Sequence, residues 1–211
     1  MKFSFHKIDL PFQLLDTSQL HFSHNPFSGL LVEEIQDVIV PHINEKEIFG
    51  LLEENADIVI QFVGKKGRGK TTHLKYLHRF FPLSDIVLLS NQKNIDHKLY
   101  RRDLIFVDSI HHWSLFQRLA FYKNNKTIVL TTHHSKSLEC AFCGKKIKTY
   151  FFKDITPEKL TTILTNRIRL AIDEKEYDLI KINEDFVIKL IKHFGDDYRG
   201  IINHLYQTFR Y

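Results

Sequence analysis

Residues 64–71 read Gly-Lys-Lys-Gly-Arg-Gly-Lys-Thr, with Thr72 next in line. Gly64, Gly69, Lys70 and Thr71 occupy the fixed positions of a phosphate-binding loop. Glycines let the backbone curl until successive N–H groups point inward at one anion, and the N-terminus of a following helix adds partial positive charge. A lysine at position 70 would reach β- and γ-phosphates, and the Thr71 hydroxyl would face Mg²⁺. Lys65, Lys66 and Arg68 are expected to be solvated charges that also favour an anion. Such a loop needs a carboxylate to hold Mg²⁺ through its water shell. Asp108, closing the apolar run "LIFV", is the candidate, because ligands bind beyond the carboxyl ends of parallel strands. The chemistry implied is that of ATP with Mg²⁺. The residue after Asp108 is Ser109, a side chain that makes a poor proton acceptor near neutral pH.

The elements that must position these groups can be read from hydrophobic spacing. Apolar runs at 57–63, 85–90, 103–108, 126–133 and 146–155 are expected as strands. Helical patterns fall between them at 46–56, 70–81, 92–102 and 112–125. Strands that are apolar throughout, alternating with helices, predict a parallel sheet covered on both faces. After residue 155 the texture changes. Residues 157–175, 183–194 and 197–209 carry helical spacing, with Thr156 as N-cap, Pro157 at the first helical position and Gly195 between the last two. The expected organisation is an irregular, aromatic-rich segment over 1–45, an α/β core over 46–155 and a small all-helical unit over 156–211.

The totals narrow the class. The chain has 211 residues, 43% of them hydrophobic, enough for a packed core. Its net charge of +5 is compatible with a nucleic-acid or phosphate partner. Two cysteines make no disulfide framework, and Lys7 and Asp9 interrupt any leader-like apolar run, so the reading is cytoplasmic. After Gly69 the next glycine is Gly144, which leaves no room for the glycine-rich signature loop of transporter ATPases. An Asn-Lys-x-Asp guanine reader is also missing.

What remains resembles the AAA+ ATPases over most of the chain, with features of the origin-recognition and transposition-helper branches. "NPF" at 25–27 looks like their opening box, "GKKGRGKT" and "LIFVD" like the two nucleotide motifs, and "TIVLTTHH" like the strand that ends in a γ-phosphate sensor. "GDDYRGIINHLYQ" resembles the second-sensor motif of an AAA+ lid. The resemblance implies a P-loop NTPase three-layer sandwich with a five-stranded parallel sheet, followed by a helical lid. It gives the sensor role to Thr131 or Thr132 and a γ-phosphate contact to Arg199. Lys70, Asp108 and Arg199 then form the catalytic set, and Thr71 and Asp108 the metal set. It implies a protein partner and admits DNA and a homo-oligomer.

Two departures from the family point to slow, partner-dependent or absent hydrolysis. Ser109 stands where the family places its catalytic glutamate. His111 and His112 could substitute for it as a base, or could cap the next helix. No arginine lies between Arg118 and Arg167 to act as a finger, and Lys145 or Lys146 lacks the planar fork. Cys140 and Cys143, with His133 and His134 upstream, look like half a zinc knuckle, although ordinary thiols packed under a helix are the expectation. His133 can also be read as a γ-phosphate sensor just past its strand. A switch or loader is the leading reading. The alternatives are a small-molecule kinase, with Arg167 and Arg169 as lid arginines, and a non-catalytic ATP-binding adaptor.

Overall fold

Five parallel strands form the sheet: β1 (Ile58–Val63), β2 (Asp85–Leu88), β3 (Leu104–Asp108), β4 (Thr127–Thr132) and β5 (Lys146–Phe151), in the order β2-β3-β4-β1-β5. This is a computed structural model, and it describes residues 13–41, 43–54, 57–89 and 100–209. The helix expected over 92–102 lies mostly outside them.

Period-two alternation splits the strands between two cores. Ile58, Ile60, Phe62, Phe106 and Val129 pack on one face with Ile48 and Leu52 of α2 (Glu45–Glu53) and Leu74 and Leu77 of α3 (Lys70–His78). Val59, Ile105, Val107, Ile128 and Leu130 pack on the other with Phe121 and Tyr122 of α4 (Leu115–Asn124) and Cys140 of α5 (Ser137–Phe142). A short helix, α1 (Ile35–Val38), precedes α2. The fold is therefore the expected α/β three-layer sandwich with an all-parallel sheet.

Several boundaries differ from the sequence reading for local reasons. The helix expected to run to 81 ends at His78, because Pro82 disfavours helical backbone in the residue before it. α4 starts at Leu115 rather than 112. Ser114 and Gln117 form a capping box, and residues 110–112 make a separate 3-10 turn. β5 stops at Phe151, and α5 was not foreseen as a helix.

The chain divides into two compact units. The sheet unit comprises Leu30–Asp154 and Asp196–Arg199. The other comprises the described part of the segment ending at Gly29, with Ile155–Gly195 and Gly200–Tyr211. Its helices are α6 (Pro157–Arg169), α7 (Glu184–Phe194) and most of α8 (Tyr198–Thr208). Thr156 caps α6 through the Lys159 N–H, and Pro157 opens it. α6 ends at Arg169, short of the expected 175, and a 3-10 stretch follows over Glu174–Leu179. Two aromatics of the irregular segment, Phe22 and Phe27, are built into this unit. Phe22 and Phe27 meet Phe209 edge-on, at centroid distances of 4.8 and 5.7 Å. Asn25 donates to the Tyr206 carbonyl at 3.1 Å and accepts from the Phe27 N–H at 3.0 Å. No helix among the described residues is long and apolar enough to cross a membrane.

Gln61 is one of the buried polar residues of the sheet, along with Thr127, Thr131 and Thr132 of β4. Gln61 is fully buried in β1 and ties the start of α5 to β5. Its amide donates to Ser135 Oγ, Ser137 Oγ and Thr149 Oγ1 at 3.0, 3.1 and 2.7 Å, and its carbonyl oxygen accepts the Lys136 N–H at 2.8 Å. Gln61→Leu strands these partners in a buried setting, so it should lower stability by about 1–3 kcal/mol. The urea midpoint measures this, and an unchanged midpoint would show that the network contributes nothing net.

Candidate functional site

Four parallel strands end side by side, and the functional side chains hang from those ends. Val63 of β1 pairs with Thr132 of β4, Val107 of β3 with Leu130, and Leu88 of β2 with Asp108. The loop over 64–69 leaves β1 here and runs straight into α3. Its first N–H, that of Gly64, donates to the Thr132 carbonyl at 3.2 Å.

The glycines of this loop do what its curl requires. Gly67 and Gly69 have φ of +86° and +80°, the left-handed region that disfavours side chains. Gly64 lies so close to the residue that follows β5 that a Cβ there would fall 2.7 Å from the Phe152 carbonyl oxygen. A Cβ at Gly67 would collide with the Asp197 carboxylate. Lys70 is buried, and its ammonium donates to the carbonyls of Gly64 at 2.7 Å and Lys65 at 2.6 Å. Burial pushes its pKa down to about 8; Arg68 and Arg199 push the same way, and Asp108 opposes them. Lys65 and Lys66 are exposed, as expected of solvated charges, and Thr72 follows Thr71 on the first turn of α3.

Asp108 is the hub. Its Oδ1 accepts from Thr71 Oγ1 at 2.9 Å and from Thr131 Oγ1 at 2.6 Å. Thr131 Oγ1 in turn accepts the Ser109 N–H at 2.7 Å, and Ser109 Oγ donates to Asp108 Oδ2 at 3.3 Å. Ser109 itself has left-handed backbone, φ 61°. Of the two threonines proposed as sensor, Thr131 points to Asp108. Thr132, on the opposite face of β4, donates its hydroxyl to the His134 carbonyl at 3.0 Å.

Arg68 departs from the expectation of a solvated charge. It donates to the Phe152 carbonyl at 2.7 Å and ion-pairs with Asp196. The reason is tertiary: Asp196–Arg199 groups with the sheet unit, which brings two carboxylates and Arg199 to the phosphate loop. Arg199 is exposed, yet near enough to lower the proton affinity of Lys70. The acidic pair was visible in "GDDYRG", but nothing in the sequence placed it against Gly67 and Arg68.

The remaining candidates sort clearly. His111 and His112 do not cap α4, since Ser114 does. His111 instead stacks on His133, ring centroids 4.0 Å apart. Lys145, considered as a finger, is tied to Asp57 and to the carbonyls of Asn125 and Lys126 at 2.6 and 3.1 Å, while Lys146 is exposed. Cys140 is buried in the core, and burial pushes its thiol up to about 12; the Cys143 thiol donates to the Leu119 carbonyl at 3.7 Å. Among the described residues no cluster of three or more metal-ligating side chains occurs.

No protein-family model matches this chain, and no curated protein matches it. Solved structures do. An arginine-to-alanine variant of Thermotoga maritima RuvB matches with TM-score 0.51 and 15% identity over 81% of this chain and 62% of that one. An alanine-to-serine variant of the same protein matches with TM-score 0.50 and 14% identity over 82% and 60%. A third RuvB structure, described as a Holliday junction branch migration motor, matches with TM-score 0.47 and 14% identity over 77% and 61%. The chain shares the fold of these RuvB structures. The chain spans about three-fifths of the length of those structures.

The state of Lys70 yields a test. With its folded pKa near 8 and its unfolded value higher, the unfolded chain binds the extra proton between the two, so this group makes stability rise as pH rises through that window. A bound polyanion favours the charged ammonium and raises that pKa again. Binding of inorganic triphosphate at pH 8 should then take up as much as about half a proton, and affinity should fall from pH 7 to 9. Calorimetry in two buffers of different protonation enthalpy reads the uptake, and Lys70→Ala should abolish it. Equal heats in both buffers for the unaltered protein would show that Lys70 is not the group being charged.

Proposed function

We propose that this chain binds ATP with Mg²⁺ and acts as an AAA+-type nucleotide-dependent switch or loader in a DNA-linked process, hydrolysing ATP slowly or not at all on its own. The observation that carries this reading is the convergence of the Thr71 and Thr131 hydroxyls on one oxygen of Asp108, at the mouth of the loop that holds Lys70. The oxygen donors of Thr71 and Asp108 suit a hard divalent cation, and Mg²⁺ supplies charge neutralisation of the β- and γ-phosphates when bound.

In this reading the N–H groups from Gly64 to Thr72 hold the phosphates and Lys70 bridges the β- and γ-phosphates. Thr71 and Asp108 hold the metal, and Thr131 couples the γ-phosphate end to Asp108. Arg199 contacts the γ-phosphate, so that ATP and ADP favour different lid positions and change the surface offered to a protein partner. Arg68, paired with Asp196, acts on the loop's shape rather than as a free anion ligand. The DNA link rests on the fold shared with RuvB, a branch-migration motor by description, and on the net charge of +5. A homo-oligomer and a cytoplasmic setting belong to the same reading.

The kinase alternative loses its main support. Arg167 donates to the carbonyls of Pro26 and Ser28 at 3.2 and 3.0 Å, and Arg169 lies over the Tyr177 ring at 5.3 Å. Both arginines serve the packing of the helical unit.

The test is ATP affinity and phosphate release on one sample, with and without duplex DNA. Lys70→Ala should abolish nucleotide binding, and unchanged binding would remove the central claim. Ser109→Glu should raise turnover, by as much as about 100-fold if residue 109 limits the rate. No change would move the limitation elsewhere, to a missing finger for instance. Arg199→Ala should weaken ATP more than ADP, whereas equal loss would argue against a γ-phosphate contact.

A further inference from the structure

Ser109, next to Asp108, has no carboxylate of its own to accept a proton from water, but an imidazole pair lies close to it in the fold. His133 is the first residue after β4, next to the Thr132 carbonyl that accepts the Gly64 N–H. His111 lies in the 3-10 turn that starts directly after Ser109. Their rings stack at 4.0 Å with an interplanar angle of 28°, and His112 lies 4.5 Å from His111. The Nδ1 of His111 is buried with no hydrogen-bond partner.

We propose that His133 is the proton acceptor for ATP hydrolysis at this site and that His111 is its positioning partner. The proposal rests on the ATP-binding reading above. In the step, the oxygen of a water molecule bonds to the γ-phosphorus and the bond from that phosphorus to the β–γ bridging oxygen breaks. ADP leaves with the electron pair, and the water proton passes to the His133 imidazole, then to solvent. The catalyst returns unchanged, and no further reactant is consumed.

The electrostatics of the pair fit this role. His133 is held below the ordinary histidine value by burial first, then by Lys70, His134, His112 and Lys66. It is therefore neutral, and able to accept a proton, at pH 7. His111 is pushed down to about 4 by burial first, then by His133, His112, Lys70 and Lys136. It stays neutral when the proton lands on its neighbour, so the new imidazolium meets an uncharged ring rather than a second cation. The influence of Lys70 on both rings places them in the field of the phosphate loop.

The experiment is single-turnover phosphate release with protein in excess over ATP, across pH 5 to 8, on the full chain. It is accompanied by ATP-affinity measurements and by NMR of the histidine rings without nucleotide. His133→Asn should keep ATP affinity within a few-fold and reduce phosphate release about 100-fold. It should also abolish the acid limb of the pH profile. Ser109→Glu added to His133→Asn should restore release. His111→Ala should leave an active protein whose acid limb moves up toward the ordinary histidine pKa, with the His133 ring titration moving in parallel. Phosphate release unchanged in His133→Asn would overturn the proposal. So would tight ATP binding by the unaltered protein with no release, with or without duplex DNA. Failure to bind ATP at all would instead bring down the ATP-binding reading beneath it.

Discussion

One carboxylate oxygen joins three elements. Asp108 Oδ1, at the end of β3, accepts hydroxyls from Thr71 on α3 and Thr131 on β4. For those two hydroxyls to reach one atom, the strands must end in register and α3 must begin directly above them. The parallel pairing supplies the first condition and the phosphate loop supplies the second. Because both hydroxyls are anchored to the same oxygen, a shift of either element would leave a polar group without its partner in a partly buried site. That cost gives the loop end of the sheet one preferred geometry.

The same constraint explains the placement of the charges. A loop whose N–H groups converge can carry a buried lysine only if something accepts from it, and here the carbonyls of Gly64 and Lys65 do so. The surrounding cations, Arg68 and Arg199, make the site more positive still. The chain partly offsets that surplus with carboxylates from outside the loop, Asp196 on Arg68 and Asp197 against Gly67. Next to this cationic loop, histidines are held neutral, and a residue without charge stands at position 109. The site is electrostatically suited to binding a polyanion.

Much of this was legible in the sequence. The phosphate loop is a contiguous pattern, and its glycines, lysine and threonine carry their roles locally. The runs of β1, β3 and β4 became strands because burial on both faces removes any alternation that could be misread, while the edge strands β2 and β5 are only partly buried. Boundaries slipped where a local signal overrode the pattern, as at Pro82, which stops α3 early, and at Ser114, which starts α4 late. Arg68 departs from its sequence reading for a different reason. Sequence treats a charge in a glycine loop as solvated, and nothing local reveals a carboxylate arriving from more than a hundred positions away.

By itself, then, the sequence determined that a glycine loop with Lys70 and Thr71 would follow one buried strand and that an acidic residue would close another. It also determined that a serine would stand beside that acid. These are properties of adjacent residues, governed by backbone freedom and strand periodicity. Only the tertiary structure decided that Thr131 rather than Thr132 faces Asp108, because that choice depends on the side of the sheet on which α3 packs. Only it brought His111 onto His133 and Asp196 onto Arg68. Those contacts join residues far apart in the chain. Their energy is realised once the sheet and the loop are in place, so no pattern of neighbouring residues encodes them.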